Sequence, residues 1–266
     1  MSKESMIASF DGTRLFMKTD VGINPRAIAI VVHGLCEHQG RYDYLTKKLT
    51  ERHFGVYRFD HRGHGRSEGQ RIYYRDFNDM LDDVNVVVDL AHRENPALPE
   101  FLVGHSMGGF AVTTYGMKYP GNVKGIVASA GVTRMNTDLS APPGMPPEDY
   151  FDNALSAGIC SDPAVVAAYN ADPLVEKKIS FGLTYALAAG VKWNKENSGQ
   201  FIDPVLLLHG ANDPLVSEKD SRQLFGDIAS KDKSLRIYAH LLHEIFNEPS
   251  KDEVIGDAIE WMAQRV

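Results

Sequence analysis

A chain of 266 residues is long enough for one large domain, or for a domain carrying a substantial insertion. Hydrophobic content of 43%, charged content of 24% and a formal net charge of −7 fit an ordinary soluble globular protein; they argue against a nucleic-acid partner and supply no pull toward anionic lipid. The two cysteines, Cys36 and Cys160, imply no disulfide framework, and no apolar run reaches a signal-peptide core or the roughly 18 residues of a membrane span, so a cytoplasmic location is expected.

Taken in order, residues 6–10 and 15–18 read as a hairpin around Asp11-Gly12, a strong turn signal. Residues 27–32 form a continuous run of Ala, Ile and Val, as expected of a strand buried on both faces of a parallel sheet. The loop beginning His33-Gly34 follows it, then a helix with Tyr42, Leu45, Leu49 and Phe54 at helical spacing. Residues 55–60 are the next strand, and 61–69 a glycine-rich loop. A helix over 77–93 puts Met80, Val84, Val87, Val88 and Ala91 on one face, and Pro96 stops it.

Residues 101–109 begin apolar and β-prone, break at Gly104, and run into a helical pattern over 110–118. Gly104-His105-Ser106-Met107-Gly108 is thus a G-x-S-x-G sequence between a strand and a helix, the context of a nucleophile elbow. After a strand at 123–130 the regularity changes. Residues 133–197 carry Pro142, Pro143, Pro146 and Pro147, then short helices over 163–170 and 179–192, with no strand pattern between them. Strand and helix alternation resumes with a strand at 204–209, a helix at 218–228, a strand at 235–239 and a helix at 251–264. The reading is an α/β protein with a mostly parallel central sheet flanked by helices. Its core is formed by 1–132 and 198–266, with a helical cap inserted over 133–197.

In such sheets reactive groups sit on loops at the carboxyl ends of strands. Downstream of Ser106, the strand at 204–209 delivers Asp213 four residues beyond its end, and the strand at 235–239 delivers His240 and His243. Asp213, in Asn-Asp-Pro, could serve only as a turn former, and His243 only as a loop residue. Together, however, the three fall at strand ends in the order Ser, Asp, His of a hydrolase triad. His240, nearer the strand end, has less slack to reach Ser106, so His243 is the expected base. The oxyanion hole requires two backbone N–H groups; Met107, directly after the serine, and Leu35, in the loop after residue 32, are the candidates. His61/His64 and His240/His243 have spacings seen in metal sites, but no third ligand pattern accompanies them. Neither a metal nor a cofactor is expected.

Residues 33–42 (HGLCEHQGRY), 59–69 (FDHRGHGRSEG), 104–109 (GHSMGG) and 243–248 (HEIFNE), with Asp172-Pro173-Leu174 in the cap, resemble the monoacylglycerol lipase and lysophospholipase group of α/β-hydrolases over nearly the whole chain. The resemblance implies the α/β-hydrolase fold, a serine esterase releasing glycerol and fatty acid from monoacylglycerol, and no cofactor. It implies the triad Ser106, Asp213 and His243, the oxyanion donors Leu35 and Met107, and a polar glycerol end near Glu37, Arg41 and His105. Lysophospholipase or broad carboxylesterase activity, including on hydroxycinnamate esters, is the alternative. Amide cleavage and a non-catalytic binding scaffold are more remote ones. Two positions depart from the family. Cys36 replaces the second glycine of H-G-x-G-E-H, which would strain Cys36 if that site needs positive φ and could narrow the alcohol pocket. His240 stands where glycine is common, which puts a second imidazole either near the site or on its rim. The apolar cap stretch 179–191 reads as a helix covering an acyl tunnel and packing on the sheet domain. The alternative is that one face makes transient contact with a lipid surface.

Overall fold

The computed structural model describes residues 2–137, 142 and 144–266; residues 138–141 and Pro143, part of the expected cap, lie outside the described residues. The opening hairpin is longer than the sequence suggested. Strands β1 (Ser2–Ala8) and β2 (Arg14–Asp20) pair antiparallel around Gly12, whose φ of 91° is the left-handed value such a turn demands. Then come β3 (Ala27–Val32), α1 (Asp43–Glu51), β4 (Phe54–Phe59), α2 (Phe77–Glu94), β5 (Glu100–His105), α3 (Met107–Lys118) and β6 (Gly125–Ser129). After a long excursion the chain returns through β9 (Val205–Gly210), α6 (Lys219–Asp227), β10 (Lys233–Tyr238) and α7 (Lys251–Ala263). Phe54 belongs to β4, not to the preceding helix. His53, at φ 62°, breaks the helical path before Phe54 is reached and pairs it with Ala27 instead.

The eight-stranded sheet has the order β1-β2-β4-β3-β5-β6-β9-β10, parallel from β4 onward. Residue alternation along β3 splits the core in two. Ile28, Ile30 and Val32 join the cluster under α2, α3 and α6, whereas Ala27, Ala29 and Val31 join the one under α1 and α7. With both faces covered, all six residues of β3 are buried, as the unbroken apolar run requires. From β3 the chain steps to β4 on one side and then to β5 on the other. The loops after β3 and β5 therefore leave the sheet side by side in opposite directions, which opens a crevice at their carboxyl ends.

Between β6 and β9 lie β7 (Tyr150–Asp152), α4 (Pro163–Ala171), β8 (Lys178–Ser180) and α5 (Phe181–Asn197). The antiparallel pair β7–β8 was not expected in this stretch, and it sets the start of the last helix at Phe181, where Ser180 Oγ accepts the Leu183 N–H. The far half of α5 packs on the core: Gly190 rests against Phe110 and Phe77, and Asn194 donates to Thr114 Oγ1 at 2.9 Å. The segment is also tied to the loop after β3. Glu176 N–H donates to Cys36 O at 2.9 Å, His38 Nε2 lies 2.9 Å from Asp172 Oδ2, and the Arg41 guanidinium stacks 4.9 Å above the Tyr169 ring.

Asp203, just before β9, is a buried carboxylate. Oδ1 accepts the Gly121 N–H at 2.9 Å, while Oδ2 has no hydrogen-bond partner among the described residues. Burial outweighs the backbone donors and pushes its pKa up to about 6. The folded state thus holds this proton more tightly than the unfolded chain. The contribution to stability is full below the ordinary aspartate pKa of about 4 and is lost as pH rises through 6. Asp203→Asn is expected to raise the melting temperature at pH 8 and to do so less at pH 4.5. Equal shifts at both pH values would refute the titration.

Candidate active site

β5 delivers Ser106 at its tip in a backbone conformation (φ 56°, ψ −117°) that is rare for a non-glycine residue, and α3 starts at the next residue. The elbow closes because glycine flanks it. A Cβ on Gly108 would sit 2.1 Å from Val32 O, and one on Gly104 2.3 Å from Gly108 O, so β3, the elbow and α3 touch backbone to backbone. Gly34, in the loop after β3, likewise lies against Ser106: a Cβ there would meet the Ser106 Cβ at 3.1 Å. Leu35 and Met107 flank this contact, and both line the cavity above Ser106.

β9 and β10 supply the other two groups. Asp213 Oδ2 lies 2.7 Å from His243 Nδ1, and Asp213 Oδ1 accepts the N–H groups of Leu215 and Val216, each at 2.9 Å. Burial raises the Asp213 pKa, but His243 and the His209 hydrogen bond together hold the carboxyl well below the usual range. Burial lowers the His243 pKa, yet the Asp213 carboxylate more than reverses this, so His243 gains a proton more readily than a free imidazole. The His105 ring packs 4.6 Å from His243 and bonds Ser129 Oγ at 3.1 Å; burial keeps it neutral.

The structure brings Asp213 to His243 and leaves His240 outside. His240 is exposed at φ 70° and does not line the cavity, and Cys36 sits at φ 64°, so both residues at family glycine positions occupy the left-handed region. Cys36 is fully buried in the larger apolar cluster beneath the loop rather than lining the cavity, and burial pushes its thiol pKa up, out of nucleophilic range. His240→Gly is expected to leave kcat unchanged and to stabilise the fold by up to about 1 kcal/mol, the strain relief less the entropy of a new glycine. A large loss of kcat would make His240 the base.

The cavity has a volume of 570 Å³. Ile159, Leu155, Phe181, Leu187 and Val216 give it apolar walls, and Glu37 and Glu244 meet it at the polar end. Glu37 Oε1 accepts the Gly34 N–H and the Tyr42 hydroxyl, both at 2.6 Å, and Oε2 takes Arg41 at 2.7 Å. Arg41 also grips Glu244 with two bonds of 2.5 and 2.7 Å. Arg41 itself is therefore spent between two carboxylates rather than pointing into the cavity. Glu244 escaped the sequence reading although it follows His243 directly; its partner is 203 positions away. His61 and His64, noted for their spacing, pack edge-on or tilted against His33 and one another as a buried cluster behind the loop. Among the described residues no group of three or more His, Cys, Asp or Glu side chains is arranged to hold a metal ion. Nor is any helix long and apolar enough to cross a membrane.

Sheet order, elbow and strand-end residues define an α/β-hydrolase. The family described as serine aminopeptidase, S33, matches residues 23–250, and the chain belongs to that family. It is 35% identical to a monoacylglycerol lipase of Mycolicibacterium smegmatis over 91% of this chain and 90% of the relative, and 31% identical to the Homo sapiens monoglyceride lipase over 91% and 84%. The crystal structure of Paleococcus ferrophilus monoacylglycerol lipase superimposes with a TM-score of 0.85 at 29% identity, covering 95% of this chain and 99% of that one. The protein is a serine ester hydrolase.

Proposed function

We propose that the protein hydrolyses monoacylglycerol to fatty acid and glycerol through an acyl-enzyme on Ser106. In this reading His243 Nε2 takes the Ser106 proton as Oγ attacks the ester carbonyl. The developing alkoxide lies against the N–H groups of Leu35 and Met107. Collapse of the tetrahedral species breaks the bond to the glycerol oxygen, which leaves with the proton from His243. A water molecule, deprotonated by the same imidazole, then releases the fatty acid. Residues 133–197 act as a cap that walls the acyl cavity, and Phe151, a cavity residue 37% exposed on β7, marks a mouth for entry from a lipid surface. Two buried, unpaired cysteines support a cytoplasmic location. The substrate is a small lipid ester.

The observation that carries the choice of alcohol is the charge at the polar end. Glu37 and Glu244 carry two negative charges against the single positive charge of Arg41, and their remaining lone pairs accept hydrogen bonds from hydroxyl groups. A neutral polyol suits that end, whereas the phosphate of a lysophospholipid, the headgroup charge nearest the leaving oxygen, would meet like charge there. Initial rates on a panel of matched acyl length test this, with monoacylglycerol, lysophosphatidylcholine, a methyl ester and a hydroxycinnamate ester. Monoacylglycerol is expected to lead lysophosphatidylcholine by at least about tenfold in kcat/KM. Equal or faster turnover of the lysophospholipid or the hydroxycinnamate would overturn the glycerol assignment.

A further inference from the structure

His209, the penultimate residue of β9, has no part in the hydrolase scheme above, yet it meets the same carboxylate oxygen as His243. Its ring is fully buried. Nε2 lies 2.9 Å from Val216 O and 3.1 Å from Asp213 Oδ2, and Nδ1 lies 2.8 Å from Ser221 Oγ on α6. A carbonyl oxygen can only accept, so the proton must reside on Nε2. In the neutral ring Nδ1 is then an acceptor, filled by the Ser221 hydroxyl. One N–H is thereby shared between a carbonyl and the carboxylate, with the ring anchored from behind by Ser221. With the Leu215 and Val216 N–H groups on Oδ1, the carboxylate receives three donors besides His243.

We propose that His209 is a positioning residue for the hydrolytic reaction. Held by Ser221, it donates to Asp213 Oδ2, fixes the plane of that carboxylate against His243, and takes a share of its negative charge. The proposal rests on the assignment of Asp213 and His243 as acid and base, which Asp213→Asn tests separately. Two consequences distinguish it from simple packing. The carboxylate loses a fixed orientation without the donor, so His243 is aimed less well and kcat falls while KM holds. The positive end of the N–H dipole also disappears from beside the Asp213–His243 pair. The pair becomes more favourable to the imidazolium, and the base is protonated at higher pH. Other charged and titratable groups near His243 are His105 from β5, Glu244 on its own loop, and Glu37 and Arg41 from the loop after β3. Of these only His105 feels His209 electrostatically, and burial, the larger influence, keeps its ring neutral with or without His209.

The experiment measures kcat and KM against pH for the wild type, His209→Leu, His209→Gln and Ser221→Ala, with circular dichroism and melting temperature as fold checks. His209→Leu is expected to lower kcat by about tenfold or more, the scale of one lost hydrogen bond to a charged group, with KM nearly unchanged. The acid limb of its kcat/KM profile should move to higher pH. His209→Gln, whose amide can donate to Asp213 and accept from Ser221, should restore most of kcat and return the limb. Ser221→Ala keeps the ring and its Nε2 proton but removes the partner that anchors Nδ1, so it should give a smaller change in the same two readouts; it also stands in if His209→Leu does not fold. The downfield NMR signal of the His243 Nδ1 proton should shift in His209→Leu and return in His209→Gln. A folded His209→Leu enzyme with the wild-type limb and kcat would overturn the proposal. A loss of kcat with an unmoved limb, equal in Leu and Gln, would reduce His209 to a packing residue and overturn it too.

Discussion

Ser106→Ala is expected to lower kcat by about 10⁶-fold on any ester the enzyme accepts, the scale seen when the serine of an unrelated serine hydrolase is removed. The physical reason is the loss of the covalent step: no other nucleophile stands at the elbow, and what remains is binding and the backbone donors. The fold should be indifferent to the change. Alanine keeps the Cβ that packs on Gly34 and loses only the hydroxyl, so melting temperature should hold or rise slightly. The checks are initial rates on a soluble ester, thermal melts, and stoichiometric labelling by a fluorophosphonate that disappears in the variant. Persistent labelling, or activity above about a thousandth of wild type, would place the nucleophile elsewhere.

Asp213→Asn is expected to cut kcat by about 10⁴-fold, the loss known from the same change in a serine protease triad, and for a tautomeric reason that the geometry makes explicit. Oδ1 accepts two backbone N–H groups, so in the variant the amide oxygen must occupy that place. The NH₂ group then faces His243 Nδ1 and His209 Nε2, where an acceptor stood before. His243 must present an unprotonated Nδ1 to it and carry its proton on Nε2, the atom needed to receive the Ser106 proton. In the wild type the carboxylate raises the His243 pKa, so activity falls as pH drops through a value above that of free imidazole. In Asp213→Asn that limb should move to lower pH, opposite to the shift expected for His209→Leu. Wild-type activity in Asp213→Asn would refute the assignment of the acid.

Legibility in the sequence followed the range of the forces involved. The central strands were readable because burial on both faces demands uninterrupted apolar residues; β3 falls on residues 27–32 as expected, and β9 within a residue or two of its expected ends. Phe54 was misplaced because helical spacing runs past the helix end that a single left-handed residue, His53, imposes. β7 and β8 were missed because strands of three residues leave no alternation to detect, and a prolyl-rich stretch precedes them. At the candidate site, Ser106, Asp213 and His243 were legible because each lies at or just beyond a strand end. His209 and Glu244 were passed over for a different reason. His209 counted as the last residue of a strand, and what gives it chemistry is a turn bringing Asp213 back beneath it. Glu244 acquires its partner only when the loop after β3 meets the loop after β10. The left-handed φ of Cys36 was foreseeable only against the family's glycine, not from composition or periodicity.

The three contacts from residues 169–176 to the loop after β3 bear on modular redesign. Exchanging the segment over 133–197 for that of another hydrolase looks like a way to alter acyl selectivity while sparing the reaction centre. Here the donor segment would also have to supply equivalents of Tyr169, Asp172 and Glu176, because Arg41, His38 and Cys36 O depend on them. A graft lacking those three would release the loop that carries Leu35. The resulting chimera would be impaired on every substrate alike, including short esters that never touch the exchanged walls. Selectivity and turnover in this protein are thus inherited together, and a successful transplant has to cut the chain on both sides of that shared seam.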